Sequence, residues 1–97
     1  MLTSKQRASL RGMAAKQPSI FQIGKDGVSE EICLQLSNAL EARELIKIRV
    51  LETCDTSAAS CANAIAAAIS AEVVAVVGNT FVLYRESKKK KRIFLDE

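Results

Sequence analysis

In the stretch IGKDGVSEE, Ile23 to Glu31, Gly24 and Gly27 lie three apart with Lys25 and Asp26 between them. Glycines so placed let the chain bend and let its N–H groups approach an anion. Lys25 adds charge, and the helix that follows adds the partial positive field of its N-terminus. The chemistry on offer is the holding of a phosphate. The same residues also suit a tight turn that needs only a positive φ, and Asp26, Glu30 and Glu31 put negative charge beside the loop. Other basic residues bear on the same chemistry: Lys5, Arg7, Arg11 and Lys16 near the start, Lys47 and Arg49 in the middle, and Arg85 with Lys88, Lys89, Lys90, Lys91 and Arg92 near the end.

Covalent and metal chemistry find less support. The 97 residues contain no histidine, which removes the commonest general base and the commonest metal ligand, so neither a Ser-His nor a Cys-His nucleophile can be assembled. Lys and Glu are present, but no spacing singles out a pair. Cys33, Cys54 and Cys61 form no C-x-x-C motif, and their odd number leaves one unpaired in any disulfide scheme; they read as reduced thiols. The residues predict a protein that is not an enzyme, holds no metal and uses no cofactor.

The net charge of +3 conceals an uneven distribution. Met1 to Lys25 carries five basic residues and no acidic one, Asp26 to Ala75 three basic against eight acidic, and Val76 to Glu97 six basic against three acidic. Basic ends around an acidic middle favour a polyanion touched by particular elements over general stickiness. A chain of this length with 48% apolar residues suits one small domain. No apolar run reaches the roughly 18 residues that span a bilayer, and the charged MLTSKQRASLRG start has no signal-peptide pattern. A cytoplasmic location is the expectation.

These groups must be positioned by a few short elements. Thr3 and Gln6 form a capping box for a first helix ending between Gly12 and Pro18, with Leu2, Leu10, Met13 and Ala14 on one side. Arg7 and Arg11 lie on one flank of that stripe, and Lys5 and Lys16 on the other. Ser19 to Ile23 reads as a short strand. A second helix runs from Ser29, its N-cap, to Ala42, with Val28, Ile32, Leu36 and Leu40 facing inward and Glu30 and Glu31 in its first turn. LIKIRVL alternates as a half-buried strand, with Ile46, Ile48 and Val50 on one face and Lys47 and Arg49 on the other. Ala58 to Ile69 forms an alanine-rich third helix with Cys61, Ala62, Ile65 and Ile69 inward, and Gly78-Asn79 joins two apolar runs as a hairpin. The lysine block of 88–92 repels itself and should be mobile, with Ile93, Phe94 and Leu95 free to dock.

The order α-β-α-β-α-β-β implies an α/β domain with a mixed four-stranded sheet, two helical crossovers and a closing antiparallel pair. Right-handed crossovers put the second and third helices on one face, leaving the other open or covered by the first helix. Lys47 and Arg49 are candidate contacts only if that face is open. Tyr84 and Phe81 are expected in the core, since four aromatics are too few for a base-stacking platform.

Taken together, LTSKQRASLRGMA, IFQIGKDGVSE, ELIKIRV and VVGNTFVLYRES resemble, in order from Leu2 to Ser87, the YhbY-type stand-alone CRM domain, the chloroplast RNA splicing and ribosome maturation module. The resemblance implies a fold similar to the C-terminal domain of translation initiation factor three. It also implies an RNA-binding protein that assists maturation of the large ribosomal subunit by acting on precursor rRNA; a monomer with no membrane or small-molecule partner is the expectation. Residues 1–87 would form the RNA-binding domain and 88–97 a basic tail. The family's G-x-x-G loop falls on Gly24, Lys25, Asp26 and Gly27, with Lys5, Arg7, Arg11, Lys47, Arg49, Arg85, Lys88, Lys89 and Lys90 as further RNA contacts. The alternative is a protein-interaction module that uses the acidic second helix without binding RNA directly.

Overall fold

Each helix starts at a hydroxyl that the sequence places for capping. Thr3 Oγ1 accepts from the Gln6 N–H at 3.1 Å and the Gln6 side chain accepts from the Thr3 N–H at 3.0 Å, which sets helix α1 at Ser4–Ala15. Ser29 caps α2, Glu30–Arg43, by accepting from the Ile32 N–H at 3.2 Å, and Ser57 caps α3, Ala58–Ile69, by accepting from the Ser60 N–H at 3.2 Å. Without such acceptors the first N–H groups of a helix have no intrahelical partner. The computed structural model describes residues 2–89, 91, 93 and 94.

The strands are β1, Phe21–Ile23; β2, Leu45–Val50; β3, Glu72–Val77; and β4, Thr80–Tyr84. They form one sheet in the order β1-β2-β4-β3, with β1 parallel to β2 and the other two pairs antiparallel. The hairpin turn has Gly78 at φ 59°, the left-handed conformation that lets a two-residue connection match the strand twist. It returns β4 to the inside of the sheet, between β2 and β3. Phe81, Val82, Leu83 and Tyr84 are accordingly all buried, whereas Val76 and Val77 on the edge strand β3 are exposed.

Helices α2 and α3 share one face of the sheet. There Leu36, Leu40, Cys61 and Ile65 pack with Ile23, Ile46, Ile48, Phe81 and Leu83. α1 lies on the other face, where Leu10 and Ala14 pack with Leu45, Val74, Val82 and Tyr84. Two expected core positions turn outward: Met13 is 39% exposed, and Val28, one residue before the α2 cap, is 37% exposed. Neither sits on a stripe that faces the sheet. Cys33, Cys54 and Cys61 are free thiols, and burial pushes the Cys61 thiol up to about 11, which keeps it protonated and inert.

The expectation of a mobile lysine block needs correction for the residues described. Ser87 Oγ donates to Glu41 Oε2, and the N–H groups of Lys88 and Lys89 donate to the same carboxylate at 3.1 and 3.2 Å. The buried Glu44 carboxylate accepts from the Ser87 N–H at 2.7 Å and the Ile93 N–H at 2.6 Å. Ile93 thereby packs against the α1-side core. Lys90, Arg92 and Leu95 lie outside the described residues.

Glu41 is held at about 2, below its ordinary 4.5, first by the Ser87 hydroxyl and then by the Lys89 and Lys88 N–H groups. A carboxyl whose pKa is lower when folded contributes its full stability above the unfolded value and loses it as pH falls through the folded one. Urea unfolding of wild type and Glu41→Gln should therefore differ most above pH 4.5 and converge as the pH approaches about 2. A constant difference across that window would assign the clip no ionic component.

Candidate nucleic-acid interface

The two glycines of the 24–27 loop stand in different settings. Gly27 has φ 63° and nothing within 4 Å of where a Cβ would stand, so its backbone conformation alone demands glycine. At Gly24 a Cβ would lie 3.3 Å from Thr53 Oγ1 and 3.5 Å from Leu51 Cδ1, so there the loop is pressed against the chain leaving β2. The Gly27 N–H donates to the Gly24 carbonyl at 3.0 Å and closes the turn. Lys25 and Asp26 stand exposed at its tip. A hollow of about 240 Å³ lies under the loop, bounded by Gln22, Lys25, Glu31 and Gln35 among others. GKDG is thus both a true turn and an open surface.

The sheet brings further groups to the same end. Leu51 N–H donates to the Ile23 carbonyl at 2.8 Å and Val50 N–H to the Asn79 carbonyl at 2.7 Å. The GKDG loop and the Gly78-Asn79 turn therefore flank the exit of β2. Strand register aligns Gln22, Arg49, Thr80 and Val77 as one row across all four strands, and Lys47, Val82 and Ala75 as the next. Alternation puts both rows on the α1 face. α1 ends at Ala15, so it covers Val82 but leaves Arg49 and Val77 in solvent. The face is half covered, which decides the condition set on Lys47 and Arg49: Arg49 is exposed, while Lys47 is half-buried with its Nζ 3.4 Å from the Gln17 carbonyl. Arg11 and Lys47 border a second hollow between α1 and the sheet. Lys25, Arg11 and Arg49 make no side-chain hydrogen bond or ion pair among the described residues, so their charge is available.

Other sequence candidates do not join this end. Arg85 turns inward, a correction to its placement in a basic patch. Nη1 donates to Ser37 Oγ at 3.0 Å and to the Ile69 carbonyl at 2.9 Å, and Nη2 donates to the Ser37 carbonyl at 2.7 Å. It answers an orphan carbonyl at the end of α3 and sets a cation against the negative end of the helix dipole. Arg7 donates to the Val73 carbonyl on β3, and Lys5 is exposed in the first turns of α1. Lys88 and Lys89 sit where the chain leaves β4, at the opposite end of the sheet from the GKDG loop. Gln22, Val77 and Thr80 were not singled out by sequence reasoning; they enter the site only through cross-strand register, which needs the strand order. Among the described residues no group of acidic, Cys or His side chains could hold a metal ion, and no helix is long and apolar enough to cross a membrane.

Residues 2–85 match the model of the CRS1/YhbY (CRM) domain. The chain is 45% identical over 95 residues to the probable RNA-binding protein YqeI of Bacillus subtilis, covering 98% of this chain and 99% of that one. It is 32% identical over 90 residues to an RNA-binding protein of Haemophilus influenzae, covering 93% and 91%. Its structure is similar to the solution structure of a hypothetical protein from Staphylococcus aureus, with a TM-score of 0.82, 43% identity and coverage of 99% and 100%.

The separation of Arg85 from Arg49 can be measured. Arg85→Lys removes a planar fork that makes three internal hydrogen bonds and should cost on the order of 2 kcal/mol in chemical denaturation. Arg49→Gln should stay within about 0.5 kcal/mol of wild type. Equal stabilities would remove the structural role assigned to Arg85.

Proposed function

Since the chain belongs to the CRS1/YhbY (CRM) domain family, we propose that it is a non-enzymatic RNA-binding protein that grips structured RNA with the sheet end gathering Lys25, Arg49, Lys47 and Arg11. The observation that carries this reading is that the turn at Gly24 to Gly27 and the Arg49 row lie at the same end of the sheet, with the cations of Lys25, Arg11 and Arg49 uncommitted. Names of relatives as RNA-binding proteins support it. Each cation displaces condensed counterions from a phosphate, so affinity should fall steeply with salt. Lys5, Lys88 and Lys89 add a sequence-independent term from the far end, Lys90 adds its charge to the same term, and Arg7 adds less because one of its donors is already used.

The finer reading is that the RNA is precursor rRNA of the large ribosomal subunit. In this reading the protein is a cytoplasmic monomer, residues 1–87 form the binding domain and 88–97 a basic extension. A second reading has one observation in its favour: Leu34 on α2 is 63% exposed near the acidic first turn, as a protein-binding face would be. Titration of wild type, Lys25→Ala and Asp26→Lys against a large-subunit precursor fragment at two salt concentrations tests the RNA reading. Lys25→Ala should weaken binding by about 1 kcal/mol and reduce the salt slope by about 0.7–0.9, and Asp26→Lys should tighten binding. Binding that ignores both substitutions and salt, together with absence from large-subunit precursor fractions on a sucrose gradient, would overturn it in favour of the protein partner.

A further inference from the structure

The hollow between the C-terminal half of α1 and the sheet is more apolar than a phosphate site requires. It measures about 350 Å³, near the lower end of small-ligand sites, which run from about 300 to 1,000 Å³. Ala75, Val77 and Val82 form its floor, Arg11 and Lys47 stand at its border, and no carboxylate lines it. Val77 is 73% exposed, a bare apolar surface beside the uncommitted cations of Arg11 and Arg49.

Resting on the RNA reading above, we propose that this hollow receives one unpaired nucleobase extruded from structured RNA, with the flanking phosphates on Lys47 and Arg49. A continuous duplex offers its grooves and backbone but no free base face to a concave surface, whereas a bulged nucleotide offers a flat apolar face with a polar edge. Val77 and Ala75 meet one face of the base, with Val82 beneath them. The Arg11 guanidinium reaches over the other, the stacking role that aromatic side chains take elsewhere. Here Phe81 and Tyr84 are buried in the core and cannot serve. Thr80, which also lines the hollow, supplies a hydroxyl for the base edge. The border has cations and no acidic group, which suits a polyanion bearing an apolar base and not an apolar protein segment.

The test compares two RNA hairpins identical except for one position, a bulged adenosine in one and an abasic residue in the other. Wild type should bind the bulged hairpin about tenfold tighter, the scale of a single stacked base, and the methyl resonances of Ala75, Val77 and Val82 should show ring-current shifts with that hairpin only. Arg11→Lys keeps the charge but loses the planar stack. Whatever the change in its affinity for the abasic hairpin, its preference for the bulged one should narrow to about twofold. Val77→Ser, at an exposed position that should leave folding intact, should narrow it likewise. Equal affinity for the two hairpins, or a preference that survives both substitutions without methyl shifts, would overturn the base site and leave the RNA reading standing. Failure to bind either hairpin at low salt would overturn both.

Discussion

Through its backbone and its carboxylate together, Glu44 ties helix α2, strands β2 and β4 and the C-terminal segment to one another. It is fully buried, at the point where α2 gives way to β2, and its backbone sits at φ 66°, a conformation disfavoured for a residue with a side chain. Its N–H donates to the Leu40 carbonyl at 2.7 Å, its carbonyl accepts from the Arg85 N–H at 3.0 Å, and its carboxylate accepts from Ser87 and Ile93. Helix α2, strands β2 and β4 and the C-terminal segment thus meet at one residue. A buried carboxylate is tolerated only when its acceptors are used. A glycine here would relax the backbone but would strip the N–H groups of Ser87 and Ile93 of their acceptor.

Arg85 completes the arrangement from the other side. Its guanidinium joins the middle of α2 to the last turn of α3, so both helices on that face are held to the end of β4. Glu41 then holds the chain beyond Ser87. The polar interactions that lock the fold are gathered at the end of the sheet where β4 stops and β2 begins. The opposite end, with the GKDG loop, the Gly78-Asn79 turn and Arg49, carries open cations and exposed valines. The polar locks and the open cations are divided between the two ends, and surface substitutions at the end with the GKDG loop need not disturb the core.

This division explains why a chain with a net charge of only +3 can present a basic surface. Carboxylates Glu41 and Glu44 are consumed internally, and Glu86 pairs with Lys91 at 3.0 Å near the C-terminal segment. Glu30 and Glu31 sit in the first turn of α2, where the helix dipole favours them. Half of the eight carboxylates in the acidic middle thus sit at a helix start or clip the chain internally, while Asp26, Glu52 and Asp55 stay exposed.

Much of this was legible in the chain itself because its signals are local. The Thr3-Gln6 capping box, the Ser29 cap, the alternation of Ile46, Ile48 and Val50 and the Gly78-Asn79 turn each depend on residues a few positions apart, and each element formed where those residues placed it. The resemblance to the CRM domain, carried by short stretches spread along the chain, was equally readable. Only the tertiary structure decided between Arg49 and Arg85, which look alike as basic residues on or beside strands. One lies in an exposed row of the sheet, and the other turns in between the middle of α2 and the end of α3. It also decided that β4 enters the sheet beside β2, that α1 stops short of covering Arg49 and Val77, and that Ile93 docks. These outcomes rest on pairings between residues some 30 to 70 positions apart, whose free energy depends on which surfaces the whole fold brings together and leaves no local trace in the chain.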